Sequence, residues 1–267
     1  MPSISIKTSD AAYSKVKKPF IKQDGDWVAA KKVSVKTEAG WKEVWPGVVY
    51  YTWTGTGYNL TIKDLFGEID TPSTYIFINN GNIGSNTWGV PSLKTGVFPD
   101  GSVLIIQNNG VIQGMGGRGG WFNADKSYVQ GQAGSMALFL DYPTELQNGA
   151  KIWGGGGGGG GSAEWGGSND NNGPGGGGSG LLGGQGGAVT WVPGYVYPGT
   201  AGTQTAGGNT TGYGVGYGGA PGQPGGSGGA IGSSDNRYGP GGAAGAAIVS
   251  NGLLTITTQG DIRGPIQ

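Results

Sequence analysis

Lys151-Ile-Trp153-Gly154-Gly-Gly-Gly-Gly-Gly-Gly-Gly161-Ser162 holds eight consecutive glycines, and the architecture of the chain turns on whether they are ordered. Further blocks lie at Gly173–Gly180, Gly183–Gly187, Gly218–Gly229 and Gly239–Gly245, with an earlier one at Gly114–Gly120. Between Gly154 and Gly245 fall 40 of the 63 glycines, without a Gly-X-Y register and with too little proline for a collagen helix. A flexible spacer is the simplest reading, but spacers are rich in charge, Ser or Gln, and here only Glu164, Asp170, Asp235 and Arg237 are charged.

Polyglycine has an ordered alternative: extended threefold helices of the polyproline II type, rising about 3.1 Å per residue with no internal hydrogen bonds. Side by side, such rods can satisfy one another's backbone N–H and C=O groups, and the absence of Cβ lets the backbones meet. Ordering costs ~1–2 kcal/mol per residue, and more for glycine, so only a cooperative array can offset it. By that rise an eight-glycine block spans about 25 Å, enough to separate the two ends of a compact unit.

If the blocks are rods, the segments between them are loops at rod ends. These are Trp121 to Gln130, Ser162 to Asn172, Ala188 to Pro198, Asn209 to Tyr217 and Ala230 to Tyr238. They are rich in Trp, Tyr, Ser and Asn, the residue types with which antibody loops combine rigid contact area and adaptable hydrogen bonding. Trp165, Trp191, Tyr195, Tyr197, Tyr213, Tyr217 and Tyr238 are candidate contact residues, or a lid over the rods. Asn169, Asp170, Asn171, Asp235 and Arg237 are the candidate polar contacts.

Outside the glycine region the chain reads as β-structure. Ile21 to Val28 and Val35 to Val44 each read as strand, turn, strand, with Gly25 and Gly40 supplying turns before Trp27 and Trp41. Trp27, Trp41 and Trp45 are either the core of this small lysine-rich module or anchors for a partner. From Val48 to Gly114, short apolar runs separated by Asn80-Gly81 and Asn109-Gly110 suggest irregular antiparallel strands. Asn109-Gly-Val-Ile-Gln-Gly114 matches Gln259-Gly-Asp-Ile-Arg-Gly264, so the two flanks of the glycine region are expected to be ends of one body, with Leu253 to Thr257 near Val103 to Ile106.

Composition excludes several classes of function. The 267 residues contain neither His nor Cys, which removes imidazole-based triads, disulfides, thiolate nucleophiles and Cys-based metal centres. Gly225-Gly-Ser227-Gly-Gly229 fits the G-x-S-x-G pattern by chance, since a hydrolase elbow needs a His base. Nine lysines against five acids lie in residues 1–45, but beyond Lys151 only Arg237 and Arg263 are basic, too few for phosphate-backbone contacts. No run approaches the ~18 apolar residues of a membrane span. Neither nucleic-acid binding nor membrane insertion is expected, and no cofactor or metal.

The alternation of glycine blocks with Tyr/Trp/Asn segments from Gly114 to Gly245, after an aromatic N-terminal module, resembles the receptor-binding tip adhesins of T-even-type bacteriophage long tail fibres. That resemblance implies a mostly β/irregular fold in three parts. Residues 1–113 would be a β-rich attachment region clipping through Trp27, Trp41 and Trp45 to the trimeric distal tail-fibre protein. Residues 114–250 would be a bundle of polyglycine II helices whose variable loops bind an outer-membrane protein or lipopolysaccharide, and 251–267 a strand packing back on the body. It implies a non-enzymatic protein at the fibre tip of the virion. Met136 to Tyr142, an apolar stretch, breaks the alternation. Two other readings remain: a self-assembling glycine-rich structural protein, and an envelope depolymerase using carboxylates such as Glu164, Asp170 or Asp235.

Overall fold

A computed structural model of the chain describes residues 5–7, 13–15, 20–23, 26–29, 33–37, 40–45, 47–70, 72–122, 128–163, 174–187, 199–210, 216–223 and 237–267. From Val48 onward the chain winds into five coils of a three-sided parallel β-helix. The first face stacks Val48–Trp53, Thr74–Asn79, Val103–Asn108, Thr144–Asn148 and Leu254–Thr258. The second stacks Thr56–Tyr58, Asn82–Gly84, Val111–Gln113, Lys151–Trp153 and Asp261–Arg263. The third stacks Leu60–Thr61, Leu93–Lys94, Leu138–Phe139 and Ile248–Val249, and Ile266 bridges to Ile248 in the fifth coil.

The core follows from period-two alternation, which points every second side chain inward. Phe77, Ile106 and Leu146 stand in register on the first face, Ile83, Ile112, Ile152 and Ile262 on the second, and Leu60, Leu93, Leu138 and Ile248 on the third. All but Leu60 and Ile262 are fully buried. Each coil thus buries its apolar column against the next, the cohesion expected of a solenoid.

The Asn-Gly pairs do not make the antiparallel hairpins expected of them, because the strands they join belong to different faces and pair in parallel with neighbouring coils. A two-residue type I′ turn needs positive φ at both central residues, and Asn80, Gly81, Asn109 and Gly110 have none. Glycine is required instead by close approach. A Cβ on Gly81 would overlap the Gly55 carbonyl oxygen, and one on Gly110 that of Gly81. Beside this corner runs a buried amide ladder: Asn79 Nδ2 donates to Asn108 Oδ1 (2.7 Å), Asn108 Nδ2 to Asn148 Oδ1 (2.7 Å) and Asn148 Nδ2 to the Gln259 carbonyl (2.7 Å).

The corner between the second and third faces varies in length. In the first coil it is Asn59 alone, held at φ 52°, and in the second it is residues 85–92. In the third and fourth coils the chain leaves this corner for residues 114–137 and 154–247, and these two excursions contain the glycine blocks. Met136 to Tyr142 interrupts the glycine alternation because it is the return to the third face, where Leu138 and Leu140 are buried. The matching segments at 109–114 and 259–264 lie on the same face with Lys151–Trp153 between them, and Leu254–Thr258 is separated from Val103–Asn108 by one strand.

Within the excursions the described residues form extended runs joined sideways by backbone hydrogen bonds. From the run 114–120, the amides of Gly114, Gly117 and Gly120 donate to Trp153, Gly156 and Gly159, while those of Gly116 and Gly119 donate to Leu182 and Gln185. The carbonyls of Met115 and Arg118 accept from Ser135 and Gln132. Partners therefore change with every residue and recur every third, and with Gly178 and Gly175 donating to the carbonyls of Gly117 and Gly120 one run serves four neighbours. Substituting any of these glycines would bring a Cβ onto backbone: Gly114 onto the Ser135 carbonyl oxygen, Gly156 onto that of Gly219, Gly157 onto that of Gly242.

Ahead of the β-helix, Phe20–Gln23 pairs antiparallel with Asp26–Ala29, and Val33–Thr37 with Gly40–Trp45. Trp27 stands opposite Lys22, Trp41 opposite Lys36 and Trp45 opposite Val33.

Candidate functional site

The direction of each run shows at which end the intervening segments attach. Run 154–161 lies parallel to 114–120, since Gly117 and Gly120 donate to Gly156 and Gly159. Run 174–180 is antiparallel to both, with Gly178 and Gly175 donating to Gly117 and Gly120. Run 182–187 reverses again, Gly184 and Gly187 donating to Gly178 and Gly175. The same logic carries through 199–203, 206–210 and 216–220, and run 239–246 descends beside 154–161 through Gly239, Gly242 and Gly245 donating to Gly161, Gly158 and Gly155.

Consequently the chain departs or returns at residues 122 and 128, 163 and 174, 187 and 199, and 210 and 216 at one end of the lattice. Residue 237 also begins its descent there, paired with Ala163. All five aromatic segments attach to this end. The opposite end carries the joints to the β-helix and the short turns at Gly180–Gly183, Thr203–Ala206 and Ala220–Gln223. Two antiparallel ribbons extend the segment end, Trp121–Phe122 with Tyr128–Val129 and Ser162–Ala163 with Arg237–Tyr238. Below the first ribbon the Arg118 guanidinium lies 4.5 Å over the Trp121 ring.

Tyr217 is the candidate contact residue whose side chain is described, and it stands 60% exposed at this end, beginning the run 216–220. Arg237 and Tyr238 have their backbone in the second ribbon. Trp165, Asn169, Asp170, Asn171, Trp191, Tyr195, Tyr197, Tyr213 and Asp235 lie outside the described residues, as does Glu164. Among the described residues no group of three His, Cys, Asp or Glu could hold a metal ion, and no helix is long and apolar enough to cross a membrane. The common end was legible in a signal that composition obscured: long aromatic segments alternate with turns of a few residues, as up-and-down runs require.

A regular frame from one end of which several aromatic segments depart belongs to the class of binding scaffolds, in which the frame positions recognition loops. The chain belongs to the family described as phage tail fibre adhesin Gp38, whose model matches residues 48–267, and it is a phage host-recognition adhesin of the tail fibre. The fold is similar to a chain in the crystal structure of the gp37-gp38 adhesin tip complex of the bacteriophage S16 long tail fibre. The TM-score is 0.55 at 22% identity, over 83% of each chain. No curated protein sequence matches the chain significantly. The matched family is one of binding proteins rather than enzymes.

Proposed function

We propose that the segment-bearing end of the lattice is the receptor-contact surface, and that the receptor is an outer-membrane protein or lipopolysaccharide of the host. The observation that carries this is the attachment of all five aromatic segments to one end, opposite the β-helix. The runs act as polyglycine II helices, a reading supported by the three-residue recurrence of their hydrogen-bond partners. Trp165, Asn169, Asp170, Asn171, Trp191, Tyr195, Tyr197, Tyr213, Tyr217, Asp235, Arg237 and Tyr238 supply contacts, and binding proceeds without catalysis, cofactor or metal.

At the other extremity, the region before residue 114 joins the chain to the trimeric distal tail-fibre protein, with Trp27, Trp41 and Trp45 as anchors. In this reading the protein stands at the tip of the long fibre in the virion. Exchanging residues 164–173 for those of a relative tests the receptor surface. Host range should change while the melting temperature stays put; an unchanged host range removes that segment from the contact surface.

A further inference from the structure

On the flank of the lattice, just below the segment-bearing end, Trp88, Met115, Gly116, Arg118, Gln132, Gly184 and Gln185 line a recess of about 220 Å³. Trp88 belongs to the corner of the second coil, and its indole is held in place. Nε1 donates to the Ala133 carbonyl (2.9 Å), and the next residue, Gly89, donates its N–H to Ser135 Oγ (3.1 Å). The side chain is nonetheless 55% exposed, so a pinned aromatic surface borders the recess. Across it stands Arg118, fixed over Trp121. Its Nε is buried without an acceptor, and among the described residues its guanidinium has no ion pair. Gln132 and Gln185 bring amides that both donate and accept, and no carboxylate lines the recess.

These features select among ligands. An aromatic surface favours a flat apolar ring face. The amides suit hydroxyl groups. A guanidinium with no ion pair among the described residues suits a carboxylate or phosphate, which it binds with charge-assisted hydrogen bonds. The recess is smaller than the ~300–1,000 Å³ pockets that take drug-sized molecules and suits a single ring. We infer that this flank recess, beside the segments and lined by run residues and Trp88, is a second binding site for one sugar ring bearing an anionic group. The ring stacks on Trp88, its hydroxyls meet Gln132 and Gln185, and its carboxylate or phosphate meets Arg118.

The test is an NMR titration of the full chain, following the Trp88 indole N–H and the amides of Gly116 and Gly184, with glucuronate, glucose 6-phosphate and glucose. Saturable shifts with at least one of the two anionic sugars, and affinity for glucose lower by about tenfold, are expected. Gln185 is exposed, so Gln185→Glu should leave the fold intact while weakening the anionic sugars by about tenfold and sparing glucose. Trp88→Ala should remove the response, whereas Tyr217→Ala, at the segment-bearing end, should leave it unchanged. The inference is overturned by the absence of a saturable response to both anionic sugars, by glucose binding as tightly, or by Gln185→Glu binding them like the parent. Failure here leaves the loop-end reading standing, because that reading is scored by host range.

Discussion

The β-helix and the glycine lattice are both built from extended chain hydrogen-bonded sideways, yet they cohere for opposite reasons. In the β-helix, alternate side chains enter a closed interior, and columns such as Ile83, Ile112 and Ile152 exclude water. In the lattice the recurrence is three, each backbone serves several neighbours, and most residues bring no side chain to bury. Removing atoms therefore weakens the first, whereas adding atoms breaks the second.

The sharpest way to break this contrast is to add three carbons to a run. In Gly157→Val the Cβ alone would overlap the Gly242 carbonyl oxygen, in a neighbourhood made of backbone that cannot rotate aside. The expected loss exceeds about 4 kcal/mol, seen as loss of the folded state or of amide-exchange protection across the lattice. An unchanged melting curve would remove Gly157 from a close-packed run. In the β-helix, Ile112→Ala takes atoms away and should cost about 2–5 kcal/mol by denaturant titration, through a cavity inside an otherwise unchanged coil.

Smaller again is the amide ladder. Asn108→Ala leaves Asn79 Nδ2 and Asn148 Oδ1 without their buried partner and should cost about 1–3 kcal/mol. A neutral result would mean that water replaces the lost amide. The smallest stability effect is expected at the segment-bearing end. Tyr217→Ala should shift stability by no more than about 0.5 kcal/mol, because the side chain is exposed, while weakening adsorption to host cells. A large destabilisation would make Tyr217 part of the frame instead.

Much of the lattice was legible from residue types alone. Scarce charge and repeated aromatic interruptions argued for order, and the need for each successive residue to face a different neighbour explains why whole blocks, not single positions, are glycine. The β-helix was harder to see. Its coils start at Val48, Thr74, Val103, Thr144 and Leu254, and the excursions stretch the later spacings until no period is visible. Asn80-Gly81 and Asn109-Gly110 carried a genuine turn signal, but a turn looks alike locally whether the next strand folds back or moves on to another face. Trp88 carried no such signal, because its neighbourhood in sequence is polar and its hydrogen-bond partner, Ala133, lies 45 residues away.

Composition and local pattern thus established that glycine blocks must be paired to be ordered and that aromatic segments must sit where blocks end, since both follow from the chemistry of one residue and its neighbours. Parallel coiling, the shared corner from which both excursions spring and the gathering of five segments at one extremity arose only in three dimensions. They depend on which backbone lies beside which, a long-range choice settled by the joint satisfaction of hydrogen bonds among runs as far apart in sequence as Gly131 and Pro240.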